Sequence, residues 1–519
     1  MSIDRRRSRV QVALVLFSVA LHALAFPPWN VTPVVWVALV PFLWTVGGAS
    51  PGRGALLGLL WGMGSIWTVA AWVPPALTVY YEQPWWFGLL FSIGASLLFW
   101  SSYYALFGAG AAWLSHRCGT GPLSWLLAAL WVACEFARSR LFTGEPWLPI
   151  GYALVPHVTL IQVADVGGVF LLSFVVVLFN ATVTACANVF WGRPAPCGRT
   201  VRAALSAVVV VAAAWAYGGY RLATPLPGGP AVPVLVVQAN NDLGSQWRRE
   251  FYGLGLDRYL QMTRAAALEA APQVIVWPES AVTFFLAHEP AFQAQIAALL
   301  RETGTDLLVG APHHDDADPA LPRYFNSAFY MTSDGRLGER YDKAHLLPFA
   351  EYFPLRFIQF LRRHFERVRT FTPGDGTTLL HTRLGTAAVV ICFEAIFPDL
   401  VRRQMARGAE VLVNLSNDVW LGGGAGPAQH LAMVALRAVE NRTWVIRATT
   451  TGISALIDPY GRIVAQAPTG AAAVLHGRVV PLRVGTFYKR HGDVFAWGCV
   501  ALAALACLRL RHRQAANGS

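Results

Sequence analysis

The chain has 519 residues, of which 55% are hydrophobic and only 13% charged, with 41 Lys and Arg against 29 Asp and Glu. Together with a mean hydropathy of +0.44, this excludes an ordinary soluble protein, in which about 25% of residues are charged. The net charge of +12 does not make it a nucleic-acid binder: up to Tyr220 there are only five acidic residues (Asp4, Glu82, Glu135, Glu145 and Asp165), so much of the excess of arginine belongs to an apolar half and reads as a topology signal.

A spanning helix needs about 20 mostly apolar residues. Residues 10–52 carry no charge, and FPPWN at 26–30 divides them into two spans, 10–26 and 31–48. Further spans are predicted over 54–74, 85–114, 121–140, 166–190 and 203–220, with an eighth, 494–508, near the C-terminus. RRRSR and LHALA imitate a signal peptide and its cleavage site, but the unbroken apolar continuation predicts a retained anchor. Arg5, Arg6, Arg7 and Arg9, then Arg53, Arg117, and Arg193, Arg199 and Arg202, fall in alternate loops, which places both termini in the cytoplasm. Arg138 and Arg140 are the exception. Seven crossings export the segment that follows, and RLRHR at 509–513 returns inside. The expected domains are a membrane domain over 1–225, an exported domain over 230–485 and a terminal span with its tail over 490–519.

The exported segment has ordinary charge density and alternates β-rich with helical patterns. Strands are predicted at 232–240, 274–277, 306–310, 326–332, 387–392 and 411–417, and helices at 248–270, 289–302, 397–407 and 428–441. WVIRATTTGISALID and a last strand follow. This alternation predicts a layered α/β domain. Cys392 is the only cysteine between 230 and 485, so it has no disulfide partner there.

Three polar residues stand where strands run out: Glu279 after VIVWP, Lys343 in RYDKAHLLPFAEYFP, and Cys392 at the end of VVIC. Singly they read as a surface carboxylate, a surface lysine and a core thiol. Jointly they make an acyl-transfer centre. A cysteine is nucleophilic as the thiolate, a desolvated glutamate can take its proton, and a lysine with a backbone N–H can hold the oxyanion. His345 and His430 leave a Cys–His pair open.

At VWPES, YDKAHLLPF and ICFE the chain resembles the nitrilase, or carbon–nitrogen hydrolase, superfamily, matching its Glu–Lys–Cys triad in order and context. The membrane half narrows the resemblance to the apolipoprotein N-acyltransferase family of the bacterial envelope. The resemblance implies an α-β-β-α sandwich beside a polytopic helical domain of about eight spans in all. It implies an inner-membrane enzyme with its catalytic domain on the periplasmic side, working as a monomer without cofactor or metal. It implies a ping-pong reaction in which a phospholipid, commonly phosphatidylethanolamine, gives an acyl chain to the cysteine. The thioester then acylates the free α-amino group of an S-diacylglyceryl-cysteine at an apolipoprotein N-terminus.

By the same match Glu279 is the base, Lys343 the oxyanion stabiliser and Cys392 the nucleophile, with Glu351 and Glu394 as supporting acids. The family pattern sets a Tyr where this chain has Phe393, a Gly at Ala239 and an aromatic at Glu145. The backbone N–H of Phe393 remains available to the oxyanion. Two other functions share parts of the pattern: a membrane-tethered amidase that gives the acyl group to water, and a transporter or scaffold with a degenerate domain.

Residues 352–371, YFPLRFIQFLRRHFERVRTF, mix apolar and basic residues and read as an interfacial lid in which Phe357 and Phe360 meet lipid, or as a surface helix packed on its own domain. Asn326 and Trp420 are expected to line the pocket, the latter from the glycine-rich loop 416–430. HHDDAD at 313–318 reads as a solvated loop rather than a metal site, and GASPG at 48–52 lacks the strand–elbow–helix context of a serine hydrolase. Glu135 and Arg138, three apart on one helical face, form a candidate intramembrane ion pair.

Overall fold

The computed structural model describes residues 2–80, 82–190, 197–241, 252–315, 322–354 and 370–517. Two compact units emerge, one of Met1–Thr78, Pro84–Thr224 and His491–Ser519, the other of Val79–Gln83 and Pro225–Arg490.

In the first unit, five described helices are long and apolar enough to cross a membrane: Arg6–Leu24, Trp85–Ser115, Ala164–Phe190, Gly198–Ala223 and Val494–Arg513. Pro51–Val69 and Val73–Val79, bent by 63° at their junction, make a sixth if counted as one span. Two of the predicted spans differ from expectation. The stretch 31–48 is broken into a 3-10 turn, Thr32–Trp36, and a short helix, Val40–Gly47, each with a proline in its first turn. Thr120–Arg140 is a continuous helix, but Glu135, Arg138 and Arg140 crowd its last turns.

Trp61 organises the interior, with Tyr104, Trp131 and Phe42 at 4.8, 5.2 and 5.5 Å between ring centroids. The ion pair predicted from helical spacing is replaced by another. The Arg138 guanidinium lies 3.7 Å over Trp100 and donates to Glu145 Oε2 at 2.6 Å and to the Trp147 carbonyl at 3.0 Å. Glu135 Oε1 instead accepts from Trp131 Nε1 and from the Ile150 N–H, both at 2.8 Å.

The second unit carries twelve described strands: β1 Val232–Gln238, β2 Val274–Trp277, β3 Asp306–Asp315, β4 Arg323–Met331, β5 Leu337–Asp342, β6 Leu380–Thr382, β7 Gly385–Ile391, β8 Val411–Ser416, β9 Trp444–Thr449, β10 Ala455–Ile457, β11 Ile463–Gln466 and β12 Ala473–Val479. They form two six-stranded sheets, in the orders β12-β1-β2-β3-β4-β5 and β11-β10-β9-β8-β7-β6. Each has a parallel centre, β1-β2-β3 and β7-β8-β9, flanked by antiparallel strands. The central strands are near-continuous Val, Ile and Leu runs, as strands covered on both faces must be.

The helices Tyr252–Ala270 and Pro290–Thr303 bury Leu256, Tyr259, Ile296, Leu299 and Leu300 against Leu235, Ile275, Trp277 and Leu307 of the first sheet. Each such side chain contributes about 1.5–3 kcal/mol when fully buried. Gln238 at the end of β1 stitches one sheet to the other. Its Oε1 accepts from Thr449 Oγ1 (3.0 Å), the Ser454 N–H (3.0 Å) and Ser454 Oγ (2.7 Å).

Pairing of β3 with β4 overturns one loop expectation. His313, His314 and Asp315 belong to β3, because antiparallel pairing with β4 continues to Asp315 opposite Arg323. Residues 316–318 of the HHDDAD stretch lie outside the described residues. Among the described residues no group of His, Cys, Asp and Glu could hold a metal ion.

Candidate active site

Glu279, Lys343 and Cys392 converge, because β2 and β5 of one sheet and β7 of the other all end at the same place. Pro278, with no N–H to give, ends β2 and hands the chain to Glu279, which is 6% exposed. The turn needs a glycine beside it. A Cβ on Gly310 would lie 2.5 Å from Glu279 Cα and 2.6 Å from the Pro278 carbonyl oxygen, and the Gly310 N–H donates to that same oxygen at 3.2 Å.

Both oxygens of Glu279 are held. Asn326 Nδ2 donates to Oε1 at 2.7 Å, and the Asn417 N–H donates to Oε2 at 2.6 Å. Asn326 Nδ2 also donates to Glu351 Oε1 at 2.8 Å, so one amide on β4 spans the two carboxylates. Lys343, 1% exposed, stands 2.9 Å from each Glu351 oxygen and 3.7 Å from Glu279 Oε1. Glu351 Oε2 also accepts the Leu347 N–H at 2.7 Å, which closes the loop that carries both.

Cys392, 3% exposed, takes a φ of +53°, a left-handed conformation rare for a residue with a side chain, at the step from β7 into a 3-10 turn, Cys392–Ile396. Its sulfur lies 4.0 Å from the Asn417 carbonyl oxygen. Such strain is characteristic of residues whose orientation matters to the site.

Electrostatics set the resting protonation. Burial raises the Glu279 carboxyl, opposed by Lys343 and assisted by Glu351. The Cys392 thiol is likewise raised, by burial first and then by the Glu279 carboxylate, with Lys343 opposing. Burial would lower the Lys343 ammonium, yet Glu351 and Glu279 outweigh it and hold the group above its ordinary value. The site therefore rests with a protonated thiol, a raised carboxylate and a fixed cation. That arrangement can ionise a thiol only by handing its proton to a neighbour.

Glu394 acts behind this arrangement. Fully buried, its Oε1 accepts from Tyr341 OH (2.9 Å) and the Ala344 and His345 N–H groups (2.7 and 2.9 Å), while Oε2 accepts the Ile391 N–H (2.7 Å). One carboxylate thus clamps the Lys343 loop to the strand of Cys392. Burial outweighs these donors and pushes its pKa up to about 7.

Phe393 is buried, with its ring 5.1 Å from Phe397 and 6.2 Å from His345. Trp420 is half-buried, three residues past the amide that holds Glu279. Phe357 and Phe360, with most of the proposed lid, lie outside the described residues. Of the two histidines weighed as alternative bases, the His345 ring packs 3.8 Å from Phe397, and the buried His430 ring lies against the Cys392 backbone with its Nδ1 facing Asp418 Oδ1 at 3.2 Å. Sequence reasoning missed Asn417, because a backbone donor leaves no trace in residue type.

Comparison with known proteins bears on the same two halves. Residues 236–488 match the carbon-nitrogen hydrolase family, and residues 18–182 match the apolipoprotein N-acyltransferase N-terminal domain. The apolipoprotein N-acyltransferase of Geobacter metallireducens is 36% identical over 506 residues, covering 96% of this chain and 95% of that protein. That of Azotobacter vinelandii is 32% identical over 521 residues, covering 97% and 96%. Among solved structures, Saccharomyces cerevisiae Nit3, a member of branch 10 of the nitrilase superfamily, is similar with a TM-score of 0.39 and 19% identity, over 52% of this chain and 97% of that one.

Proposed function

The chain belongs to the apolipoprotein N-acyltransferase family, and on that premise we propose how its own residues carry the reaction. It is a multi-pass membrane enzyme that N-acylates apolipoproteins. Glu279 takes the proton of Cys392 as the sulfur attacks an acyl ester carbonyl of a phospholipid, with phosphatidylethanolamine the expected donor. The carbonyl oxygen becomes an oxyanion, held by the Lys343 ammonium and the Phe393 N–H. When the tetrahedral centre collapses, the C–O bond breaks and the lysophospholipid alkoxide takes the proton from Glu279. The acyl chain stays on sulfur as a thioester.

In the second half the α-amino group of an S-diacylglyceryl-cysteine attacks the thioester carbonyl and gives a proton to Glu279. The C–S bond then breaks and the departing sulfur is reprotonated, which returns the enzyme to its start. The raised values of both Glu279 and Cys392 support this order, since a resting thiol needs a base at the moment of attack. Glu351 and Asn326 keep the ammonium and the base in place.

In this reading each sheet with its pair of helices forms half of a four-layer α-β-β-α sandwich. The helices over 31–48 and 120–140 complete about eight spans. The catalytic domain stands on the extracytoplasmic side of the inner membrane of a monomer with both termini inside, supported by the arginine distribution. The convergence of Glu279, Lys343 and Cys392 in one buried site is the observation that carries the proposal.

Intact-mass analysis after incubation with phospholipid is expected to show an acyl adduct on Cys392, absent in Cys392→Ser. Addition of a diacylated lipopeptide is expected to discharge the adduct as an N-acyl amide. Free fatty acid without acylated peptide indicates a hydrolase instead, and no adduct under trapping conditions overturns the mechanism.

A further inference from the structure

Behind the nucleophile lies a buried polar network that the reaction as described does not use. Asp418 follows Asn417 at the end of β8 and is 1% exposed. Its Oδ1 accepts from Ser416 Oγ at 2.7 Å and faces His430 Nδ1 at 3.2 Å, and its Oδ2 accepts from Arg447 Nη2 at 2.5 Å. Arg447, fully buried on β9, donates from Nη1 to Asn414 Oδ1 and from Nε to the Ile453 carbonyl at 3.2 Å. Asn414 Nδ2 donates to the Val390 carbonyl at 3.2 Å, two residues before Cys392. Gly452 makes room for the carboxylate, since a Cβ there would sit 2.3 Å from Asp418 Oδ2.

Burying a carboxylate and a guanidinium is expensive, several kcal/mol per ion, and apolar residues of the same volume often give equal stability. A pair placed under a reacting thiol therefore points to geometry rather than stability. The peptide it holds is informative. The Asn417 N–H grips Glu279 Oε2 at 2.6 Å, its carbonyl oxygen lies 4.0 Å from the Cys392 sulfur, and its side chain accepts from Thr450 Oγ1 at 2.7 Å. The backbone of one residue, through the two peptide groups that flank it, touches both base and nucleophile, and its C-terminal neighbour is clamped.

We infer that Asp418, held by Arg447, Ser416 and His430, is a positioning residue: it sets the Asn417 backbone that aims Glu279 at Cys392, while Arg447 screens its charge from the sulfur. The inference rests on the reading of Glu279 as base and Cys392 as nucleophile. Charged groups reach the thiol from four elements: Glu279 after β2, Lys343 after β5, Asp418 after β8, and Arg447 on β9 through Asp418. Asp418 adds to the elevation of the thiol, behind Glu279 and against Lys343. His430, on the Ala425–Asn441 helix, is lowered by burial and then by Arg447, and it faces the pair as a neutral ring.

The test uses the full-length enzyme in detergent with two readouts. One is single-turnover acylation by phospholipid. The other is the pH profile of Cys392 alkylation by iodoacetamide, read at that residue by mass spectrometry. Asp418→Asn removes an anion and leaves the Arg447 cation, so its alkylation profile is expected to move to lower pH. Arg447→Gln leaves the anion, so its profile moves to higher pH, and the double variant returns towards wild type. All three are expected to slow acylation by about 10- to 100-fold, the range a displacement near one ångström produces.

A role confined to stability would slow both readouts without opposite displacements. Profiles that stay unmoved in the two single variants overturn the inference. If these variants fail to fold, Gly452→Ala crowds the Asp418 side chain and Thr450→Val removes the bond to the Asn417 side chain, both without removing a charge. They are expected to slow acylation at an unchanged alkylation profile, and wild-type acylation in both overturns the inference. Glu279→Gln serves as the control: if it retains full acylation, the underlying assignment of the base has failed, whatever Asp418 does.

Discussion

Glu351→Gln removes one charge from a buried cluster while keeping its volume. In the wild type the Lys343 ammonium lies 2.9 Å from both Glu351 oxygens and 3.7 Å from Glu279 Oε1. Loss of one partner of a buried pair costs about 3–5 kcal/mol. At roughly 2–3 °C per kcal/mol for a unit of this size, the melting transition of the catalytic unit is expected to fall by about 6–15 °C. The ammonium then has only Glu279 to neutralise it and closes the 3.7 Å gap. A carboxylate drawn into a tight ion pair is a poorer base, and acylation is expected to slow about 100-fold, the lower end of what general-base catalysis contributes.

The sign of the pH dependence follows from Lys343, whose folded value is raised above its ordinary 10.5. That contribution is fully present below 10.5 and is lost only as pH rises through the raised value, so the deficit of Glu351→Gln should be the same at pH 6 and pH 9. Thermal melts in detergent and single-turnover intact-mass kinetics measure the two effects. Adding Lys343→Met is expected to restore the melting transition without restoring acylation. A Glu351→Gln enzyme that melts and acylates like wild type would refute the reasoning.

Glu394→Gln turns one acceptor towards the Ile391 N–H into a donor, at a cost of about 1.5–3 kcal/mol, read as a lower melting transition. Because the Glu394 carboxyl is pushed up to about 7, the folded wild type takes up a proton below that pH and loses an acceptor from the clamp. Acylation should therefore fall as pH drops through 7, and this component should vanish in Glu394→Gln, whose rate is lower at every pH. Gly310→Ala drives a methyl group to within 2.5 Å of Glu279 Cα. It is expected to cost about 1–3 kcal/mol by overpacking and to slow acylation while leaving the phospholipid concentration dependence unchanged. Charging Phe357 and Phe360 to Asp should cripple turnover of phospholipid and spare a short water-soluble thioester donor, and equal loss on both would remove the lid from the reading.

The three residues proposed to react were legible because each is announced locally. A strand can be read from its apolar run, Pro278 marks where one stops, and Glu279, Lys343 and Cys392 follow their strands within two residues. The network behind them was not legible because it depends on register between strands distant in sequence. Val390 stands opposite Asn414, and Asn414 opposite Arg447, so three residues spread over 58 positions form one row across β7, β8 and β9. The available signal was the presence of Asn414 and Arg447 inside otherwise apolar strands, where an unpaired polar group is too costly to be incidental.

The membrane unit teaches the same lesson about charge. Helical spacing set Glu135 beside Arg138, but a three-residue offset says only that two side chains share a face. Glu135 is claimed by Trp131 and by the Ile150 N–H, groups that buried space leaves no other way to satisfy. Arg138 takes its partner from the loop after the helix, which folds back through a 2.9 Å bond from the Glu145 N–H to the Arg138 carbonyl. The aromatic that the family resemblance led one to expect at 145 would pack against apolar neighbours and leave the guanidinium with Trp100 and the Trp147 carbonyl alone. With Glu at that position the cation gains a counter-charge at 2.6 Å whose side chain is 29% exposed, so Arg138 is neutralised from the open side of its site while staying 1% exposed itself. A residue that departs from the expected pattern therefore compensates for a charge that the pattern alone left unexplained.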